Sequence, residues 1–66
     1  MCLSAVYLKH KSPDTRIMDE ASLLTESDRT VTVSSLFGDQ KKFEGFEVGE
    51  VNLLEHYVVL RERVEK

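Results

Sequence analysis

The sequence contains few residues that could cross-link the chain and no segment suited to a membrane. Its 66 residues include one cysteine, one proline, three glycines and no tryptophan. A single cysteine cannot form a disulfide within the chain, which favours a reducing, cytoplasmic setting. No apolar run approaches the roughly 20 residues that cross a bilayer. The first residues also lack the basic region of a secretory signal.

The composition is that of a small, folded, acidic protein. Hydrophobic residues make up 41% of the chain, which is too many for a disordered segment. Nine Lys and Arg against twelve Asp and Glu give a net charge of −3, which argues against a nucleic-acid-binding surface over the whole molecule. The length allows one domain, residues 1–66. Many domains of this size fold alone, whereas others need a metal or a second copy of the chain.

Alternating polar and apolar residues predict an all-β fold. We expect strands over residues 2–8, 29–37, 41–44 and 46–53, with a polar loop at 9–14 and a tight turn at 38–40. Short strands with frequent turns indicate an antiparallel meander of five to six strands that closes into a small barrel. Closure would remove the exposed strand edges that invite aggregation.

Two segments have patterns that fit more than one structure. Residues 17–26 fit either a helical turn or a short strand from Ala21 onward, so the sequence leaves open whether the region 14–22 is helical. Near the C-terminus, Leu53, Tyr57, Leu60 and Val64 have the spacing of an amphipathic helix. The run Tyr57–Leu60 is β-branched and aromatic, which favours a strand instead.

Apolar positions on the predicted strands indicate the core. Val31, Val33 and Phe37 share one face of their strand, and we assign Phe37 to the core together with Phe43 and Phe46. Along residues 46–53 the alternation of apolar residues shifts by one position beside Gly49. Such a shift predicts a β-bulge there.

Cys2 is the residue with the most specific chemistry. Removal of Met1 would leave an α-amine and a thiolate on the same residue, and these two groups close a five-membered ring around a metal ion. With the next backbone nitrogen they form a planar N,S donor set, which suits Ni(II) or Cu(II) better than zinc. The alternative is an ordinary buried cysteine on the first strand. A retained Met1 would block the amine.

The remaining polar residues suggest no catalytic site. His10 and His56 lack neighbours at metal-ligand spacing, and we interpret both as ordinary loop residues. The chain has no phosphate-binding loop, nucleophile motif or paired carboxylates, so we expect no enzymatic activity. An alternative function is RNA binding through basic residues in loops and at strand ends, namely Lys9, Lys11, Arg16, Lys41 and Lys42.

Three segments resemble a known family over essentially the whole chain. They are the opening Met1-Cys2-Leu3-Ser4-x-Val6-Tyr7, the turn Leu36-Phe37-Gly38-Asp39-x-Lys41, and Val48-Gly49-x-Val51-x-Leu53. In these segments the chain is similar to the CooT-type small nickel-binding proteins, a family also labelled as predicted RNA-binding proteins. The first two segments are the most specific.

This resemblance implies a compact β-barrel, similar to small Sm-like barrels, that forms a homodimer. It implies Ni(II) binding, about one ion per dimer, for storage or transfer to a nickel enzyme as client. The implied ligands are the Cys2 thiolate, the α-amine and the backbone nitrogen of Leu3. The resemblance also favours a strand at residues 57–62. It does not identify the client enzyme.

Overall fold

The computed structural model describes residues 3–64, and the strands in this range form a single sheet. They are β1 (Ser4–Leu8), β2 (Arg16–Ser27), β3 (Thr30–Ser35), β4 (Gln40–Glu44), β5 (Phe46–Asn52) and β6 (Tyr57–Glu62). Their order across the sheet is β4-β3-β2-β1-β6-β5. The one helix within residues 3–64 is a single 3-10 turn at Pro13–Thr15, and none in this range is long and apolar enough to span a membrane. The predicted all-β class is confirmed.

Strand β1 lies inside the sheet between β2 and β6. It pairs antiparallel with β2, with Ser4 opposite Ala21, and parallel with β6, with Ala5 opposite Tyr57. The prediction of a wholly antiparallel sheet is therefore wrong. A parallel pair needs a long crossover connection, and here that connection consists of the four intervening strands.

Strand β2 resolves the first uncertain segment in favour of a strand. Its first half pairs with β1 and its second half with β3, with Ala21 as the residue common to both ladders. The buried residues Met18 and Ala21 are three apart, a spacing that also fits a helix. In the strand this spacing arises because the ladder shifts register between the pairs Ser4–Ala21 and Val6–Met18.

The sheet does not close into a barrel, so that part of the prediction is wrong. Strands β4 and β5 are the two edges, and only Gly45 separates them. One residue cannot form a hairpin, so β4 and β5 follow each other as a bent strand and do not pair. Gly45 has a φ of +79°, a conformation that favours glycine. Its N–H donates to the Arg29 carbonyl at 2.9 Å, and its carbonyl accepts from the Arg63 N–H at 2.8 Å.

The C-terminal half of the sheet agrees with two further predictions. Between β5 and β6 the register shifts from Val48–Leu60 to Glu50–Val59, so Gly49 is the extra residue of the predicted β-bulge. Strand β6 occupies residues 57–62, and Leu60 is fully buried. The helical spacing near the C-terminus therefore does not produce a helix.

The core lies between the two halves of the bent sheet. Val6, Val31, Val33 and Leu60 are fully buried, and Phe43 and Phe46 pack against this cluster. Phe37 is 76% exposed, so its assignment to the core is wrong. The reason is local: β3 ends at Ser35, and Phe37 lies in the turn that follows, where the alternation of faces no longer applies.

Candidate functional site

The predicted metal site belongs to the N-terminal end of β1. Cys2 lies outside the described residues, so its ligand role stays a prediction, and the adjacent Leu3 is half-buried. The start of β1 is fixed on both sides, because Ser4 lies opposite Ala21 and the Ala5 N–H donates to the His56 carbonyl at 3.0 Å. The first residues of β1 thus lie between β2 and the turn at residues 53–56.

Exposed leucines lie at this same end of the sheet. Leu23 follows Ala21 on β2 and is 58% exposed, while Leu53 and Leu54 lie in the turn before β6 and are more than 80% exposed. We call these three residues the N-terminal apolar surface. A cleft of about 140 Å³ adjoins it, lined in part by Ser4, Leu23 and Val58. Grouped exposed apolar side chains in a small protein indicate a contact surface.

Neither histidine belongs to a preformed metal site in the part of the chain that the structure describes. His10 and His56 are both exposed. His56 has a φ of +58° in the turn before β6, and its backbone carbonyl is the group that contacts β1. Across residues 3–64, no three His, Cys, Asp or Glu side chains are grouped so that they could hold a metal ion.

The five basic residues of the alternative RNA site do not form one free positive patch. Lys9 and Lys11 pair with Glu62 and Glu55 at 3.8 and 3.5 Å. Arg16 pairs with Asp19 at 3.2 Å, and the Lys41 ammonium donates to the Ile17 carbonyl at 2.9 Å. Lys42 is exposed on β4. Carboxylates thus neutralise three of the five charges.

Arg16 and Lys41 do lie together, in a groove that the sequence did not indicate. The groove has a volume of about 320 Å³ and runs along β2 on the side facing the turn after β3. Its lining includes Arg16, Asp19, Glu20, Phe37, Asp39 and Lys41; we call it the β2 groove. Hydrogen bonds from Arg16 to the Tyr7 hydroxyl at 3.0 Å and to Asp19 hold the pKa of this guanidinium above its ordinary value.

A second cluster of polar and aromatic groups surrounds Tyr57. Its hydroxyl donates to Glu50 Oε2 at 2.7 Å, and the Lys11 ammonium lies 4.5 Å from the centre of its ring. The ring also meets Tyr7 edge-on, with 6.1 Å between the ring centres. The hydrogen bond to Glu50 raises the pKa of Tyr57 above that of a free tyrosine.

Comparisons with known proteins agree with the fold and with the family resemblance noted in the sequence. The family model of the CO dehydrogenase accessory protein CooT matches residues 1–61. A crystal structure of a protein assigned as CooT from Carboxydothermus hydrogenoformans superposes with a TM-score of 0.79. The superposition covers 96% of this chain and 100% of the other, at 13% sequence identity, so it supports the fold alone. No curated protein matches the chain.

Proposed function

The chain belongs to the CooT family of CO dehydrogenase accessory proteins, and we propose that it binds Ni(II) as cargo for a nickel enzyme. The family match over residues 1–61 carries this proposal, because it includes the N-terminal cysteine. CO dehydrogenase, the enzyme in the family's description, is the client that this membership favours.

The proposed nickel ligands are the Cys2 thiolate, the α-amine left by removal of Met1, and the backbone nitrogen of Leu3. Thiolate and nitrogen donors in a plane suit Ni(II). Because the thiol must lose its proton to bind the ion, nickel affinity should fall in acid. The two Cys2 thiolates of a dimer, related by a two-fold axis, together with nitrogens from this set would hold one Ni(II) between the two chains.

A homodimer through the N-terminal apolar surface would bring the two cysteines together. Leu23, Leu53 and Leu54 supply exposed apolar area at the end of the sheet where β1 begins. An isologous interface uses the same patch on both copies, and a metal that binds only the dimer would stabilise it. We place this dimer in the cytoplasm, where the thiol stays reduced.

The experiment is a nickel titration of protein whose loss of Met1 has been verified by intact mass. We expect wild type to bind one Ni(II) per two chains with thiolate charge-transfer absorption, and Cys2→Ala to lose both the absorption and the uptake in equilibrium dialysis. His10→Ala is the matched control and should bind like wild type, because His10 is an exposed loop residue. Equal uptake by wild type and Cys2→Ala would rule out this site.

The dimer is tested in parallel by light scattering. Leu54→Lys should shift the protein toward monomer and weaken nickel uptake together, because it places a charge on the N-terminal apolar surface. A Leu54→Lys protein that stays dimeric would exclude this surface as the interface. The RNA alternative stays a prediction, and a salt-dependent gel shift that is lost on neutralising Lys41 and Lys42 is its test.

A further inference from the structure

The turn after β3 holds an aromatic side chain outside the core. Phe37 is 76% exposed and its neighbour Leu36 is 53% exposed. The turn is rigidly built, because Ser35 Oγ accepts hydrogen bonds from the N–H groups of Phe37 and Asp39, both at 3.1 Å. Gly38 supplies a φ of +96°. An aromatic side chain that is preorganised on the surface is typical of an anchor residue in a protein interface.

The β2 groove beside Phe37 carries negative charge that is not neutralised. Arg16 pairs with Asp19, whereas Lys41 donates to the neutral Ile17 carbonyl and keeps its charge. The lining has two cations, Arg16 and Lys41, against three carboxylates, so its net charge is −1. The carboxylates of Glu20 and Asp39 form no ion pair or hydrogen bond with any residue of the range 3–64. A complementary partner surface therefore carries a cation at this point.

The groove is built for side chains, and its shape disfavours an added β-strand. The ladder of β1 and β2 shifts register twice along Arg16–Ala21, which twists this part of β2. Lys41 also covers the backbone carbonyl of Ile17 with its side chain. Bulges and a lysine on an edge are features that protect strands from pairing with other chains.

The groove lies close to the start of β1. Ser4 is opposite Ala21, and Ala21 is in turn opposite Ser35, so the three strands are adjacent at this row. Two strand spacings amount to roughly 10 Å. A protein that docks on Phe37 would thus lie next to the N-terminal end of β1.

We propose that Phe37 and the β2 groove are the docking site for the client enzyme, and that the client presents an apolar pocket for Phe37 beside an Arg or Lys side chain that faces Glu20 and Asp39. This inference rests on the proposed function, since it assigns that function's partner to a surface. The groove's volume of about 320 Å³ accommodates one such long side chain.

Binding to immobilised, nickel-free CO dehydrogenase tests the proposal. Phe37→Ala should weaken binding about tenfold or more, as loss of an anchor residue does. The double variant with Glu20→Gln and Asp39→Asn should bind more weakly at low salt, and its binding should depend less on salt concentration. The matched controls are Val64→Ala, an exposed apolar residue outside the groove, and Glu44→Gln, an exposed carboxylate on β4; both should bind like wild type.

The outcomes separate this inference from the nickel proposal, because nickel uptake is measured on every variant. If Phe37→Ala takes up nickel like wild type and also binds the enzyme as tightly as wild type, the docking site alone is overturned. Failure of the wild-type chain to bind the enzyme at any concentration would also overturn the docking site. Loss of nickel in Cys2→Ala bears only on the metal site. A Phe37→Ala protein that changes from dimer to monomer would make this surface an interface between copies and overturn the client assignment.

Discussion

At the scale of single residues, ion pairs recur on the surface of residues 3–64, and the hydrogen bond of Tyr57 to Glu50 is a clear case in which a polar contact changes the acidity of a side chain. The Tyr57 hydroxyl donates to Glu50 while Lys11 lies over its ring. The neutral phenol is the form that this hydrogen bond stabilises, because a phenolate would face a carboxylate. The folded-state pKa of Tyr57 is therefore raised, and the stabilisation is present below the ordinary tyrosine pKa and disappears as pH rises through the raised value.

Tyr57 should accordingly deprotonate later than an unperturbed tyrosine. Ring resonances of isotope-labelled tyrosine, followed by NMR through alkaline pH, report its pKa separately from that of Tyr7. Glu50→Gln should lower the pKa of Tyr57, because it removes the carboxylate that opposes the phenolate. Glu44→Gln, which removes a carboxylate elsewhere on the surface, should leave it unchanged. A Tyr57 pKa that is the same in wild type and Glu50→Gln would contradict this assignment.

Residue-level prediction from the sequence succeeded only in part. Val31 and Val33 are core residues, as the alternation of polar and apolar residues indicates. Phe37 falls on the same face by this alternation but is exposed. The alternation of faces applies only inside a strand, and the sequence does not mark the end of β3 at Ser35. The role of Cys2 stays a prediction from its position and from the family. The β2 groove could not be foreseen, because its walls come from segments far apart in the chain.

At the scale of elements, the alternation of polar and apolar residues predicts which segments are strands, but it does not predict which strands pair with each other. The bulge at Gly49 is confirmed, because the local pattern marks it. The strand Tyr57–Glu62 is also confirmed, although the local pattern fitted a helix as well and the family resemblance favoured the strand. The strand character of β2 is hidden by the helix-like spacing of Met18 and Ala21. Parallel pairing of β1 with β6 leaves no local signal at all, because it depends on where the chain returns after four other strands.

The bend between β4 and β5 is the element whose sequence requirement is most specific. Gly45 has a φ of +79°, and a Cβ atom there would meet nothing within 4 Å, so the cost of substitution is backbone strain alone. Gly45→Val should lower the free energy of unfolding by about 1–3 kcal/mol. Gly45→Asn should cost less, because asparagine tolerates this conformation. Urea unfolding measures both, and equal losses for Val and Asn would show that strain at this bend is not the cause.

At the scale of the whole molecule, side-chain contacts of Arg63 and Glu26 join the two flanks of a sheet whose edge strands do not pair. Arg63, just after β6, pairs with Glu26 of β2 at 2.6 Å and with Glu47 of β5 at 3.6 Å. Glu26 also accepts from the Val48 N–H at 3.4 Å. Arg63 Nε is buried and forms no hydrogen bond within residues 3–64. The partly buried guanidinium thus connects strands from both flanks.

Arg63→Met should therefore destabilise the fold by about 1–2 kcal/mol, since charge-assisted hydrogen bonds of partly buried groups are lost. The matched control is Arg61→Met, which removes a more exposed partner of Glu47 and should cost less than about 1 kcal/mol. Urea unfolding at low and high salt measures the two losses. Equal stability of the two variants would show that Arg63 does not hold the flanks together.

The pairing of β1 with β6 also sets an order of events during synthesis. β1 is the first of the six strands to leave the ribosome and β6 is the last, so β1 lacks one of its two neighbours until residues 57–60 emerge. The fully buried Leu60 arrives at the same late stage. Because β1 and β6 are far apart in the sequence, their pairing closes a long loop, which makes folding slow for a small domain. One side of β1 therefore stays unpaired and open to other molecules while the intervening strands are made.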